Sequence, residues 1–274
     1  MVRVEMLAIG RELLIGRTLN TNAQWIGKRL ARKGTRLAEV TTVDDDLGEI
    51  AAGLKGCLER KADFLIVVGG LGPTPDDMTL RGISKGIGKG LRLDGRALSM
   101  IREHYAKRNL GSFKMTPARK KMAILPIGAR PVPNEMGTAP GVRLEFEGTT
   151  VFCLPGVPLE MKSIFRESVE PEIAKRLGRL HRKYIRLKIE GIYESALAPI
   201  IESELNKHLG AYVKSHPRGL KEGRSRIELD IATVGEDRNE TEKSAIQIAH
   251  EIKNEVETAG ARVVSEKGTD NRGK

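Results

Sequence analysis

The feature that most constrains the fold of this chain is Phe64–Val68, an unbroken apolar run with the sequence FLIVV. Such a run, with no alternation of polar residues, is typical of a parallel strand that helices cover on both faces. Val151–Leu154 repeats the pattern, and Val4–Ile9 and Leu37–Val43 are further apolar strands. Helical periodicity is found in the segments between and after them: Thr21–Arg32, Leu47–Lys61, Met78–Lys85 and Leu159–Arg176. The alternation predicts an α/β domain over residues 1–178 with a doubly wound, mostly parallel sheet.

The rhythm of the sequence changes after a short hinge at 178–182. Strand and helix patterns now follow in the order strand, helix, strand, strand, helix, strand. The segments are Tyr184–Glu190, Glu194–Leu209, Ala211–Ser215, Arg226–Val234, Glu240–Ala259 and Ala261–Val264. This order predicts a smaller α+β domain of the ferredoxin-like type over residues 182–266. We expect residues 267–274 to form a flexible tail.

Charge is distributed unevenly along the chain. The net charge is +11, and residues 1–181 carry +10 of it. A basic surface attracts phosphate groups, whether they belong to nucleotides or to nucleic acid. Nucleic-acid binding is nevertheless disfavoured, because the second domain is nearly neutral and lacks the aromatic residues on which bases stack. The alternative interpretation of the basic region is a solvated surface, and the charge asymmetry alone does not decide between a phosphate-bearing ligand and such a surface.

Several classes of protein are excluded by simpler observations. No apolar run approaches the ~18–20 residues of a membrane-spanning helix, and the N-terminus has no signal-peptide pattern, so we expect a cytoplasmic protein without a membrane partner. Cys57 and Cys153 lie in apolar patterns and are expected to be buried packing residues. The five histidines form no cluster with ligand spacing, so neither zinc nor haem is predicted.

Polar, Gly- and Pro-rich segments follow the predicted parallel strands, where ligands bind in open α/β sheets. Four of them end strands or follow them closely: Gly10–Gly16, Asp44–Asp46, Gly69–Asp77 and Pro155–Pro158. A fifth, Pro133–Gly141, is a loop without periodicity. Because the carboxyl ends of parallel strands share one edge of the sheet, we expect these segments to form one site.

Gly69–Asp77 (GGLGPTPDD) is the most informative of these segments. Its glycines allow the backbone to approach a ligand closely, and the amides of the next helix can bind an anion. It contains neither the GK[ST] of a P-loop nor the GxGxxG of a dinucleotide-binding turn. Asp76 and Asp77 have two interpretations: they hold a divalent cation that bridges to substrate phosphates, or they cap the following helix. Asp44–Asp46 has the same two interpretations.

Read together, these segments resemble the CinA-like branch of the MoaB/Mog molybdopterin-binding-like family. GGLGPTPDDMT is similar to the signature loop of that branch, and IGRELLIGRTLNTNAQWI is similar to its opening. VDDDLGEI, PNEMGTAPG and LPGVPLEM match further family segments in the same order. The resemblance covers about residues 3–165, and the region after it looks like the small α+β domain of the same branch.

The resemblance implies a divalent-metal-dependent pyrophosphatase that cleaves ADP-ribose or FAD-type dinucleotides. Its relatives of the Mog type imply an alternative, a protein that binds or adenylylates molybdopterin. A non-catalytic nucleotide-binding module is a third interpretation. The cation is expected to be Mg²⁺, Mn²⁺ or Co²⁺, with potassium as a further candidate. The partners are a nucleotide or pterin and, since relatives self-associate, further copies of the chain in a dimer or trimer.

Carried over by position, the resemblance places site residues on the matching segments. The catalytic residues are Asp45 and Asp77, and the metal ligands are Asp45, Asp76 and Asp77. The substrate-binding residues are Glu12, Gly69, Gly70, Gly72, Thr74, Thr79, Asn134, Gly137, Thr138, Pro155 and Gly156.

Two positions depart from the family pattern. Arg11 and Ile127 stand where this branch often has small or acidic residues. Full-length bacterial CinA proteins also carry a C-terminal amidase domain, for which a chain ending at Lys274 leaves no room. Deamidation is therefore not expected.

Overall fold

The computed structural model describes residues 2–107, 114–208 and 210–270. The chain divides into two compact units. Apart from the turn at 32–34, residues up to Gly178 form the first domain and residues from Arg179 form the second.

The first domain is built on a six-stranded mixed sheet with the strand order β2-β1-β3-β8-β7-β6. Its strands are β1 (Val4–Ile9), β2 (Leu37–Val43), β3 (Phe64–Val68), β6 (Arg130–Val132), β7 (Gly141–Phe146) and β8 (Thr149–Leu154), and a separate small sheet holds β4 (Leu91–Leu93) and β5 (Ile124–Pro126). The helices are α1 (Arg11–Leu14), α2 (Thr21–Arg32), α3 (Leu47–Glu59), α4 (Thr79–Gly86), α5 (Gly95–Lys107), α6 (Pro117–Lys121), α7 (Pro158–Ile164) and α8 (Glu170–Leu177). The four strands β2, β1, β3 and β8 are parallel, which confirms the predicted α/β class.

Alternate residues of the central strands pack on opposite faces of this sheet. Leu65 and Val67 of β3 join a core with α3, α4 and α5. Ile66 and Val68 join a second core with α2, α7 and α8. Helices on both faces explain why β3 has to be apolar at every position.

The sequence did not predict the antiparallel edge formed by β6 and β7 or the small β4–β5 sheet. The helix expected over Leu159–Arg176 is also interrupted, because Phe165–Val169 forms a π-helical turn between α7 and α8. Pro171 follows that turn. Proline has no N–H, and its ring clashes with the carbonyl four residues earlier, so the wider turn accommodates it.

A buried ion cluster lies near the amino-terminal end of β1. Glu5 is fully buried, and its carboxylate accepts hydrogen bonds from Arg60 (2.8 Å) and Arg3 (2.6 Å). Burial by itself raises the pKa of Glu5, but the hydrogen bonds from the two guanidinium groups outweigh it and hold the pKa below its usual value. Glu5 is therefore a compensated charge.

The second domain is a four-stranded antiparallel sheet with the order β10-β11-β9-β12. Its elements are β9 (His181–Glu190), α9 (Glu194–Lys207), β10 (Tyr212–Lys221), β11 (Arg224–Gly235), α10 (Arg238–Thr258) and β12 (Arg262–Asp270). Apolar residues of the strands, such as Leu187 and Leu229, pack against α10 residues such as Ile248 and Ile252. The order and direction of the strands are those of the predicted ferredoxin-like arrangement.

The predicted flexible tail begins too early. Residues 267–270, assigned to it from the sequence, continue β12 and pair with β9, where Lys267 lies opposite Arg186 and Asp270 opposite Lys183. This strand could not be predicted from the polar sequence EKGTD, because it lacks the apolar alternation that marks a half-buried strand. Residues 271–274 of the predicted tail lie outside the described residues.

Both cysteines are buried, as predicted. Burial raises the pKa of each thiol to about 12, which leaves them as unreactive packing groups. Among the described residues, none of the helices is long and apolar enough to cross a membrane.

Candidate functional site

A cleft of about 480 Å³ opens at the carboxyl ends of β1, β3 and β8. All five predicted segments contribute to it, including the acidic run after β2. The predicted residues that line it are Glu12, Asp45, Gly69, Gly70, Gly72, Asp76, Asp77, Thr138, Pro155 and Gly156. The topology rule therefore assembles most of the predicted site.

The three acids after β2 have three different partners. Asp44 pairs with the Arg11 guanidinium at 2.9 Å. Asp46 caps α3, because its Oδ1 accepts the N–H groups of Gly48 (2.7 Å) and Glu49 (3.1 Å). Asp45, between them, lines the cleft. The capping interpretation thus applies to Asp46, and Asp45 is the member of the run that lies in the cleft.

The carboxylate of Asp45 is bonded by the backbone N–H of Arg11 and not by its guanidinium group. Its Oδ2 accepts the N–H of Arg11 at 3.0 Å, while the Arg11 side chain turns to Asp44. Burial raises the pKa of Asp45, and the nearby carboxylates of Glu12, Asp44 and Asp76 raise it further. This concentration of negative charge is what a bound cation would relieve.

The glycine-rich loop crosses directly over the end of β1. Gly69 has φ 117° and Gly70 has φ 58°, conformations that favour glycine. A Cβ on Gly69 would lie 2.2 Å from the carbonyl oxygen of Ile9, so the loop has no room for a side chain there. Thr79 is fully buried, and its hydroxyl donates to the Gly69 carbonyl at 2.7 Å. Thr79 thus fixes the loop from beneath.

Asp77 folds back on the loop that precedes it. Its Oδ2 accepts hydrogen bonds from the Thr74 N–H (2.8 Å) and the Thr74 hydroxyl (2.6 Å). The Lys121 ammonium donates to the Thr74 carbonyl from the other side. Neither Asp76 nor Asp77 caps α4, whose N-cap is Met78 without a side-chain bond. The capping interpretation therefore does not apply to this pair.

Asn134 organises the loop between β6 and β7. Its Oδ1 accepts the N–H of Gly137 at 3.0 Å, and its Nδ2 donates to the Ala139 carbonyl and to Glu160 Oε2, both at 2.7 Å. A Cβ on Gly137 would lie 2.0 Å from the Glu160 carboxylate, so a side chain there would displace Glu160 from its present position. Asn134 and Gly137 thus support the cleft without lining it, as Thr74 and Thr79 do on the glycine-rich loop.

Some residues of the site were missed from the sequence. Glu160 of α7 and Tyr105 of α5 line the cleft. Asn22 of α2 donates to the Gly156 carbonyl at 2.8 Å and so positions the loop after β8. Glu160 and Asn22 lie inside the stretches that match the family, LPGVPLEM and IGRELLIGRTLNTNAQWI. A search for polar residues in these longer stretches would have found them. Tyr105 lies in a stretch without a motif.

The two departures from the family pattern lie in different places. Arg11 is at the rim, where its side chain is 70% exposed and neutralises Asp44. Ile127 is in the turn after β5, where its N–H bonds to the Gly90 carbonyl, and it is not one of the lining residues. Neither side chain occupies the space between Asp45 and the glycine-rich loop.

A smaller cavity of about 240 Å³ adjoins the cleft and shares Gly70, Gly72 and Asp77 with it. Apolar side chains, including Leu80 and Leu91, form much of its wall. The site therefore combines a carboxylate-rich region with a neighbouring pocket that has an apolar lining.

Comparison with known proteins agrees with this geometry. Residues 5–175 match the family described as "Probable molybdopterin binding domain", and this range contains every residue of the cleft. The chain belongs to this family. Within it, the chain is 38% identical over 264 residues to a protein of Aeropyrum pernix, covering 96% of this chain and 97% of that one. It is 39% identical over 256 residues to a protein of Metallosphaera sedula, covering 93% and 95%.

A solved structure places this molybdopterin-binding-like domain in the CinA branch. The protein CinA from Thermoplasma acidophilum, described as having unknown function, is 42% identical. It aligns with a TM-score of 0.56 over 62% of this chain and 98% of its own. The resemblance to CinA-like proteins is thereby confirmed.

Proposed function

We propose that the cleft binds a nucleotide with a phosphoanhydride bond, of the ADP-ribose or FAD type, and hydrolyses it with a divalent cation. One observation carries the proposal: Asp45, Asp76 and Asp77 line the same cleft as the exposed backbone of the glycine-rich loop. Carboxylates repel a phosphate group unless a cation lies between them. Backbone amides, by contrast, attract it.

The carboxylates of the cleft fit such a cation. Within the described part of the chain, no donor is bonded to Asp45 Oδ1, and the Oδ2 atom accepts a backbone N–H. Asp77 has one oxygen, Oδ2, engaged with Thr74. Asp45, Asp76 and Asp77 would hold Mg²⁺, Mn²⁺ or Co²⁺ directly or through water. When bound, the cation would neutralise the pyrophosphate and lower the pKa of a coordinated water.

Other groups of the chain supply binding and orientation. Amides of Gly70–Gly72 and Thr138 would bind the phosphate oxygens. Asn134 keeps Glu160 at the edge of the cleft, where its carboxylate is available to orient water or a ribose hydroxyl. The adjoining cavity provides apolar contacts for a flat ring. These roles need a rigid frame, which the bonds of Thr79 and Asn134 provide.

A second candidate is binding or adenylylation of molybdopterin, which the family description favours. The same cleft would hold the pterin phosphate, and the adjoining cavity its ring. A module that binds a nucleotide without cleaving it is the third reading. Adenylylation needs ATP and molybdopterin together, whereas the pyrophosphatase needs a dinucleotide and a metal. The substrates therefore distinguish the pyrophosphatase from the adenylylating protein, and binding without turnover identifies the third reading.

The test is chromatographic detection of AMP released from ADP-ribose, FAD and ATP, with and without Mg²⁺, Mn²⁺ and Co²⁺. We expect metal-dependent AMP release from ADP-ribose or FAD. Asp77→Asn should abolish turnover and leave the fold intact. Asp46→Asn is the matched control, because asparagine still caps α3 and the residue lies outside the cleft.

Two results would contradict the proposal. One is full turnover by Asp77→Asn. The other is no turnover with any metal in a folded sample that still binds nucleotide or molybdopterin, which would favour the binding module.

A further inference from the structure

A second group of potential metal ligands lies in the second domain, between the end of α9 and the middle of α10. It consists of Glu204 and His208, one turn apart at the end of α9, and Glu251 on α10. We call it the α9–α10 cluster. One ligand atom from each residue lies within 4.8 Å of the other two. No sequence motif marks it, because its single histidine is combined with carboxylates from two separate helices.

The three side chains converge on one point. His208 Nε2 lies 3.8 Å from Glu204 Oε2 and 3.7 Å from Glu251 Oε2. In a tetrahedral zinc site, ordinary Zn–N and Zn–O bond lengths separate two ligand atoms by about 3.4 Å. Both distances from His208 Nε2 exceed that spacing by only a few tenths of an ångström, and one oxygen of each carboxylate lies within 4.8 Å of the other carboxylate.

The ligand atoms of Glu204 and His208 are buried and lack hydrogen bonds, while the Glu251 side chain is 30% exposed. Glu204 is fully buried, and its Oε2 has no partner among the described residues; the same is true of His208 Nε2. Each carboxylate has its other oxygen engaged, Glu204 Oε1 with Lys207 Nζ at 2.5 Å and Glu251 Oε1 with Gln247 Nε2 at 2.8 Å. A buried polar atom without a partner is costly and rare. The free atoms of the cluster are those that face one another.

The charges of the cluster favour a cation. Two carboxylates face one lysine, Lys207, whose ammonium also lies 3.8 Å from Glu255. An imidazole nitrogen with two carboxylate oxygens suits Zn²⁺ and related transition metals better than Mg²⁺ or Ca²⁺, which prefer oxygen ligands alone.

We propose that Glu204 Oε2, His208 Nε2 and Glu251 Oε2 bind a Zn²⁺-type divalent ion, with water in the remaining position. Such an ion would join the end of α9 to α10 and stabilise the second domain. This site is separate from the carboxylates of the cleft and does not depend on the proposed hydrolysis.

The test uses the full chain with Asp45→Asn and Asp77→Asn, so that the carboxylates of the first domain do not contribute. After removal of metal with a chelator, Zn²⁺ is titrated by calorimetry, and the melting temperature is measured with and without it. We expect one equivalent of Zn²⁺ to bind and to raise the melting temperature. Adding His208→Ala or Glu251→Gln should weaken binding by at least about tenfold and remove the shift.

His250→Ala is the matched control, because His250 is on the same helix as Glu251 but is exposed and contacts Asn254. It should leave Zn²⁺ binding unchanged. His208→Ala is preferred to a change at Glu204, which is fully buried, and circular dichroism verifies that the variant folds. The proposal is overturned if His208→Ala binds Zn²⁺ as well as its parent does. It is equally overturned if the parent binds no Zn²⁺, which would make the cluster a carboxylate pair neutralised by Lys207.

Discussion

The two ends of the same sheet place a carboxylate in opposite electrostatic environments. Near the amino-terminal end of β1, Glu5 is fully buried and bonded by Arg3 and Arg60, and its pKa is held below the usual value. At the carboxyl end, Asp45 lies among other acids with a backbone N–H as its donor, and its pKa is raised. The first carboxylate is neutralised by the protein itself. The second has a backbone N–H as its donor, and under the proposed function a bound cation would neutralise it.

The largest effect expected from this comparison is the loss of turnover in Asp45→Asn. Removing a carboxylate that holds the cation should lower metal-dependent AMP release at least about 100-fold, or ~2.7 kcal/mol in transition-state free energy. Thermal unfolding should show no loss of stability, because asparagine can still accept the Arg11 N–H. Unchanged turnover would remove Asp45 from the site, and a large loss of stability would make it a structural residue like Glu5.

The next largest effect is expected in stability rather than turnover, for the variant Glu5→Gln. Glutamine keeps one acceptor but loses the charge that pairs with two arginines, so we expect a loss of about 1–2 kcal/mol in the free energy of unfolding. The loss is moderate because both guanidinium groups reach solvent. Glu39→Gln is the control, since Glu39 contacts the same arginines from an exposed position. Denaturant unfolding measures both variants. A Glu5→Gln variant as stable as the native chain would show that the buried ion pairs contribute nothing to stability.

The pH dependence of stability should have opposite signs at the two ends. Because the pKa of Glu5 is lowered from 4.5, its contribution to stability is present above pH 4.5 and is lost as the pH falls through the lowered pKa. The stability difference between the native chain and Glu5→Gln should therefore shrink in acid.

Asp45 behaves in the opposite way, because its pKa is raised from 3.8. Its ionisation reduces stability at neutral pH, and this penalty disappears as the pH falls below 3.8. Asp45→Asn should accordingly be slightly more stable than the native chain at pH 7 and equal to it in acid. Unfolding in a chelating buffer at several pH values measures both differences. If the stability differences of Glu5→Gln and Asp45→Asn from the native chain changed with pH in the same direction, the two carboxylates would have similar environments.

The smallest effect is expected for Arg11→Ala. Arg11 pairs with Asp44 on an exposed surface, and its backbone N–H, which Asp45 uses, remains in the variant. We expect no resolvable change in stability, and turnover within about threefold of the native value. A large loss of turnover in the same assay would mean that the Arg11 side chain itself acts in the cleft.

The sequence predicts the centre of the molecule better than its edges. The apolar run of β3 leaves few alternatives to a central parallel strand, and strand ends in such a sheet meet at one rim, so the place of Asp45 and the glycine-rich loop follows. The strand β6 and the end of β12 were missed because short polar edge strands have no distinctive period, whereas β7 was missed although its buried Val142 and Leu144 alternate with polar residues. Glu160 was missed for another reason: its position depends on Asn134, which is 26 residues away in the chain. Contacts of this kind arise only from the folded backbone.

The acidic run after β2 has a consequence for how this chain can vary in length. Asp44, Asp45 and Asp46 have identical side chains, yet one pairs with Arg11, one lines the cleft and one caps α3. Exchanging any two of them changes nothing in the sequence. Inserting or deleting a single aspartate, however, shifts the others along the turn, and at least one of the three positions is then filled from the wrong direction. The run should therefore tolerate no insertion or deletion, although it looks like a simple repeat.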